Sequence, residues 1–278
     1  MNTTVIIPIY NEANHIAACL DTLLKQTAKP RRIVVVDDDS SDGSVSIVKQ
    51  YQGRFPVTLL LQKHRGPGAA RNLAAAKVKD GILVFVDGDM TFDKNFLKNL
   101  TQPIIKGESK GVFNLDEYVS NWDNPLARSW NYNNNLPDKR RLNPKAKSDT
   151  LDFRAILKSE FDRINGFSLI GYTDSQTLSQ KLGYRPTPVS DAISYHANPS
   201  TLKEIFFHSR WIGKRSTKFG LLGKLANLVR YSLPVSLTIG IIKALRFHLP
   251  LFVPFKLVYD LGFAYGTILS LVNHSNSK

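Results

Sequence analysis

The chain has 278 residues, 42% hydrophobic and 22% charged, enough for one large globular domain or a domain with an appendage. Its one cysteine, Cys19, excludes an intramolecular disulfide framework and fits a reducing compartment. The formal net charge of +14 suits phosphate-bearing substrates, nucleic acid or an anionic membrane surface.

Residues 4–9 read as a first buried strand, a run too short and too interrupted by Pro8 to be a signal peptide. Asn11 is a plausible N-cap for a helix with Ile16, Leu20, Leu23 and Leu24 at helical spacing, and Cys19 falls on its apolar side. Residues 32–37 form a second apolar strand that ends in Asp37, Asp38 and Asp39. A helix through Val45, Ile47 and Val48 follows, then a third strand at 57–61 and an alanine-rich helix at 69–78 opened by Gly66 and Gly68. The fourth strand, at 82–86, ends in Asp87, Gly88 and Asp89. Strand and helix alternating four times predict a parallel, doubly wound sheet with all four strand ends at one edge.

Asp87 and Asp89 can converge on one cation if the chain turns at Gly88, and carboxylate oxygens suit Mg2+ or Mn2+ bridging to phosphate. Asp38 can accept from a base N–H or a ribose hydroxyl. Gly66 and Gly68 allow close backbone approach at a helix N-terminus, and Arg71 on that helix can reach an anion. Each feature has a plain structural alternative: Asp-Gly as a turn, Asp38 as a cap, Arg71 as a solvated side chain. The six-residue glycine fingerprint of dinucleotide sites is absent from the sequence.

Past Asp93 a helix is expected over 92–105 and a strand over 111–117. A basic loop rich in Asn and Pro is expected over 121–149, with one helical turn near Trp130. Order resumes at 151–157. Gly171 to Asp174 precedes a short helix, 175–182, and two extended pieces end at His196.

Taken together, Ile7-Pro-Ile-Tyr-Asn-Glu12, Val34-Val-Val-Asp-Asp38, Gly68-Ala-Ala-Arg-Asn72 and Phe85-Val-Asp-Gly-Asp89 resemble the motifs of a family 2 glycosyltransferase, in order and spacing. The resemblance covers residues 4 to about 90 and continues more loosely to about 215. It implies an α/β fold of GT-A type: a Rossmann-like, mainly parallel sheet flanked by helices. It also implies an inverting transferase that takes its donor from a nucleotide-diphosphate sugar. By that resemblance Asp38 contacts the base, Arg71 the nucleotide, Asp87 and Gly88 the ribose and diphosphate, and Asp89 the metal. Pro8, Tyr10 and Glu12 match the loop beside the nucleoside, and Gly68 belongs with the nucleotide-sugar-binding residues. Asp174 aligns with the general base, its alternative being a helix cap. His196 lies where related enzymes offer a third metal ligand or a diphosphate contact. The family usually has glycine at Asp39 and an acid at Thr173. Arg210 and Trp211 keep only the Arg-Trp end of the signature of processive synthases, and are expected to close the site or face the acceptor.

These expectations divide the chain into a catalytic domain, 1–200, with a nucleotide-binding half (1–90) and an acceptor half (91–200), and a basic, apolar helical region, 201–278. From residue 200 on, eleven Lys/Arg face only Glu204 and Asp260, +9 of the net charge, beside apolar stretches at 231–245 and 249–272. Lys256 and Asp260, four apart, can pair on one helical face. Basic and apolar residues interleaved in this way predict association with an anionic membrane at its cytoplasmic face, peripheral or C-terminally inserted, rather than nucleic acid binding. Helices packed on the catalytic domain, or a dimer interface, are the alternatives. A lipid-linked or glycan acceptor follows. The competing functions are a nucleotidyltransferase on a related sheet and a non-catalytic membrane or nucleic-acid-binding protein. The first would need a lysine or arginine in the loop 8–12, which has none.

Overall fold

The computed structural model describes residues 1–143, 151–169, 176–215, 217 and 219–272. These sort into two compact units, residues 1–118 with 142–196 and residues 119–141 with 197–278.

The first unit is built on a seven-stranded sheet. Its β1 (Thr3–Ile9), β2 (Arg32–Asp37), β3 (Val57–Leu61) and β4 (Ile82–Phe85) run parallel in the order β3-β2-β1-β4. Such strands are covered on both faces, which is why they read as unbroken apolar runs. β8 (Ala155–Leu157) joins antiparallel to β4, and β6 (Gly111–Asn114) and β9 (Thr187–Val189) complete the sheet, with the short helices α6 (Lys158–Arg163) and α7 (Thr177–Leu182) between β8 and β9 in the chain. Helices α1 (Ile16–Leu24), α2 (Ser44–Tyr51), α3 (Pro67–Ala75) and α4 (Phe96–Ile105) connect the parallel strands and their extension. One core cluster joins Cys19, Leu20 and Leu23 of α1 to Val5, Ile7, Ile33 and Val84; a second joins Ala70 and Ala74 of α3 to Ile6, Val34 and Phe85. A smaller sheet places β5 (Met90–Phe92) and β7 (Glu117–Val119) on either side of β10 (Ser194–His196).

Several local expectations are corrected. Asn11 does not cap α1, whose N-cap is His15; it sits at φ 57° and clasps the neighbouring loop, donating to Ser40 Oγ and accepting from the Ser41 N–H. The helix expected from Phe92 begins at Phe96, because Met90–Phe92 pairs with β10. Residues 121–149 contain a helix of nine residues, α5 (Pro125–Asn133), rather than a single turn. Asn124 caps it by accepting from the N–H groups of Leu126 and Ala127, with Pro125 at the first helical position.

The second unit is helical: α5, α8 (Leu202–Gly213), α9 (Gly220–Arg230), α10 (Leu233–Phe247) and α11 (Phe252–Val272). Its core gathers Ile205, Leu249, Phe252, Phe255 and Tyr259, with Trp130 of α5 edge-on to Tyr259. α8 and α11 pack with their backbones touching. A Cβ on Gly266 would lie 1.9 Å from the Arg210 carbonyl oxygen, and one on Gly262 would lie 2.2 Å from Ser209 Oγ. The expected pair exists: Lys256 Nζ donates to Asp260 Oδ1 at 2.6 Å, both side chains buried. By length and composition α11 is long enough to cross a membrane; so is the α9–α10 pair taken together, but it is bent by 61°.

Candidate active site

The carboxyl ends of β1, β2 and β4 and the β3–α3 loop bring most of the expected site residues together in the first unit. Gly88 is needed where it stands, since a Cβ there would meet Ile9 Cγ2 at 2.9 Å and Glu12 Cγ at 3.3 Å. The chain therefore turns tightly between the two acids, and they take different partners. Asp87 accepts from Arg71 Nη2 at 2.7 Å. The Arg71 guanidinium is largely buried and lies over the Phe167 ring, so it is a fixed part of the site rather than a solvated side chain. Asp89 Oδ2 stands 2.8 Å from His196 Nε2. On the other side of that imidazole, Nδ1 lies 3.3 Å from Glu117 Oε1, and Glu117 is paired with Arg154 at 3.1 Å. Arg154 also donates to Asn114 Oδ1 and to the Phe85 carbonyl.

Glu12 faces the same cluster. Burial, then the charges of Asp89 and, more weakly, Asp87, push its carboxyl up to about 7, against a smaller opposing effect of His15 at 3.1 Å. Cys19, under the turn, is fully buried and its thiol is pushed well up by burial. It is core, as expected, and a poor nucleophile.

Asp38 is buried, and its carboxylate is occupied by the protein itself. It accepts from Gln62 Nε2 (2.6 Å) and from the N–H groups of Arg65 (2.8 Å) and Gly66 (2.9 Å), with His64 Nδ1 at 3.0 Å. It thus ties the end of β2 to the loop that opens α3. The exposed Tyr10 ring packs against His64 with centroids 4.5 Å apart, and Pro8 lies in β1 beside Val36. Gly68 is buried in the first turn of α3. Asp39, where the family usually has glycine, adopts φ 72°. The turn therefore keeps the left-handed backbone that glycine favours, and aspartate bears it because its short polar side chain is among the few that tolerate it.

Asp174 and Thr173 lie outside the described residues. Arg210 and Trp211 lie on α8 of the helical unit, where the Arg210 guanidinium sits over the Tyr265 ring. Sequence reasoning missed Glu117, Arg154, Gln62 and His64. A signal existed for one: Arg154, between Phe153 and Ala155 in an apolar run, needs a buried acid.

The donors fit a divalent cation. Among the described residues no group of three His, Cys, Asp or Glu side chains is arranged to hold a metal. Asp89 and His196 nevertheless stand side by side, and burial together with the charges of Asp89 and Asp87 raises the neighbouring Glu12 carboxyl to about 7. Two protein ligands, the rest coming from phosphate and water, is the usual arrangement for a cation that accompanies a nucleotide.

This sheet order and edge site define a GT-A type α/β fold. Among solved structures, the Staphylococcus aureus protein TarS (residues 1–349, in complex with UDP-GlcNAc) superposes with a TM-score of 0.57 at 21% identity, over 77% of this chain and 66% of that one. The mannosyltransferase PcManGT from Pyrobaculum calidifontis, in complex with GDP-Man and Mn2+, gives 0.62 at 19% identity, over 99% of this chain and 88% of that one. The profile of glycosyl transferase family 2 matches residues 4–164, and the chain belongs to that family. Its curated relatives include a poly(ribitol-phosphate) beta-glucosyltransferase of Bacillus spizizenii, 33% identical over 124 residues, 40% of this chain and 20% of that protein. They also include glycosyltransferase GlyG of Streptococcus pneumoniae, 30% identical over 125 residues, 43% of this chain and 42% of that protein. The matches thus span less than half the length of either relative.

Proposed function

We propose that the chain transfers a glycosyl group from a nucleoside-diphosphate sugar, UDP- or GDP-linked, to a hydroxyl of a lipid-linked or glycan acceptor. The reaction is a single displacement that inverts the anomeric centre. One observation carries the proposal: Asp89 and His196 meet at 2.8 Å beside an Arg71-held Asp87, at the edge where a diphosphate would lie. Family membership and the nucleotide sugars named in the related complexes support it.

Asp89 and His196 are the residues that would hold a divalent cation, Mn2+ or Mg2+. Bound there, it would neutralise the charge that builds on the departing diphosphate. Arg71, locked by Asp87 and Phe167, keeps positive charge beside the same group. Tyr10 and His64 offer ring faces to a base. Asp174, assigned by the family resemblance, takes the proton of the attacking hydroxyl. The basic helical region supports a place at the cytoplasmic face of a membrane.

The test is nucleotide release from a panel of UDP- and GDP-sugars, with and without Mn2+. Transfer that depends on the metal and is lost in Asp89→Asn and Asp174→Asn is expected. Undiminished turnover in chelator or in Asp174→Asn would refute the mechanism.

A further inference from the structure

We propose that α9 and α10 form one lipid-binding surface that lies in the plane of an anionic membrane, with α11 packed in the helical unit rather than spanning. This deepens the membrane placement proposed above and does not depend on the chemistry of transfer.

Both helices carry an exposed aliphatic stripe. On α9, Leu222, Leu225 and Val229 are exposed; on α10, Leu233, Leu237, Ile241 and Leu245 are exposed, all seven between 43 and 74%. Within each helix their spacings are three or four, so each helix carries one exposed apolar line, and the two lines end on either side of the break at 231–232. α9 has no buried residue at all, so its apolar side is not core. An aliphatic line of that length facing water marks a binding surface.

Charge decides the occupant. Between residues 205 and 259 there are nine Lys/Arg and no acid. Arg230 and Arg246 stand exposed beside the line. A two-fold contact with a second copy would set these cations against themselves. Nucleic acid would use the cations but leave the leucines wet. Anionic lipid satisfies both, taking leucines into the acyl boundary and arginines at the headgroups.

The bend and the third helix favour lying over crossing. A pair bent by 61° is not one straight span. α11, the other helix of sufficient length, carries a buried Lys256–Asp260 pair and is held backbone to backbone against α8 at Gly262 and Gly266.

The experiment is co-sedimentation of the full chain with vesicles of phosphatidylcholine, alone or with roughly one part in three phosphatidylglycerol. Binding to the mixed vesicles, weak binding to the neutral ones, and weakening as salt rises from about 0.1 to about 0.5 M are expected. Leu222→Glu/Leu237→Glu should lose about a hundredfold in partitioning, and Arg230→Gln/Arg246→Gln more than about tenfold. Ile105→Glu, at an exposed position on α4 of the other unit, should bind as wild type. Thermal unfolding identifies any variant that misfolds, and Leu222→Gln/Leu237→Gln then replaces it. No binding to anionic vesicles, or full binding by the leucine variants, overturns the proposal. So does protein that resists alkaline extraction, which would be spanning, or a vesicle-free dimer that the leucine variants dissociate. Nucleotide release, measured without vesicles, tests the transferase separately.

Discussion

Glu12 gives the sharpest quantitative test of the site. Its carboxyl is raised from 4.5 to about 7 by burial and by the neighbouring acids, equivalent to roughly 3 kcal/mol between its two protonation states. The folded chain binds this proton more tightly than the unfolded chain. The contribution is therefore fully present below pH 4.5 and is lost as pH rises through about 7. In Glu12→Gln the side chain no longer titrates, so stability relative to wild type should rise by about 3 kcal/mol between pH 4.5 and 8. Denaturant unfolding in chelator at both pH values measures the difference. Carboxyl carbon NMR of the wild type locates the titration directly. Mn2+ at pH 8 should stabilise wild type and move the Glu12 midpoint down, because a cation offsets the charges of Asp89 and Asp87. An ordinary Glu12 midpoint near 4.5, or a variant whose relative stability does not change with pH, would refute the electrostatic account of this edge.

Glu117→Gln should weaken Mn2+ binding about 10- to 100-fold, measured by electron paramagnetic resonance without donor. The carboxylate fixes the imidazole whose Nε2 faces Asp89. Binding of UDP or GDP without metal should change little. Asp39→Gly should stabilise the chain by about 1 kcal/mol in thermal unfolding, by relieving the left-handed backbone at φ 72°. Asp260→Asn should destabilise the helical unit by about 3–5 kcal/mol, because it strands a buried Lys256. Gly266→Ala should cost about 1–3 kcal/mol or more by forcing α11 away from the Arg210 carbonyl, read as a lower unfolding midpoint.

What could be read from the chain follows how each element is stabilised. β1, β2 and β4 lie within the sheet and must be apolar on both faces, so they are visible as runs, and the acids that follow β2 and β4 mark the candidate ligand edge. α5 left no such trace. It is a nine-residue helix, Pro-Leu-Ala-Arg-Ser-Trp-Asn-Tyr-Asn, started by a cap at Asn124 and held by Trp130 against Tyr259, a residue 129 positions later. Its good helix formers, Leu126, Ala127 and Arg128, fill one turn only, and the serine, aromatics and asparagines that follow weaken the local preference. β5 was hidden in the same way, because its pairing with β10 spans a hundred residues and three positions.

The site divides along that line too. Motif residues that sit at strand ends were readable because geometry brings strand ends together without further information. The residues that support them were not, since Glu117 and Arg154 enter from β7 and from the start of β8, each in a segment that looks ordinary alone. Asp38 shows the limit from the other side. Its position at the end of β2 suggests a ligand acceptor, but three donors from the β3–α3 loop and the His64 Nδ1 atom already surround its carboxylate. A nucleotide base would have to share Asp38 with Gln62 or displace it. The simpler arrangement is that Asp38 shapes the loop, and under the proposed function the base is left to the Tyr10 and His64 rings, which pack against each other tilted by 43°.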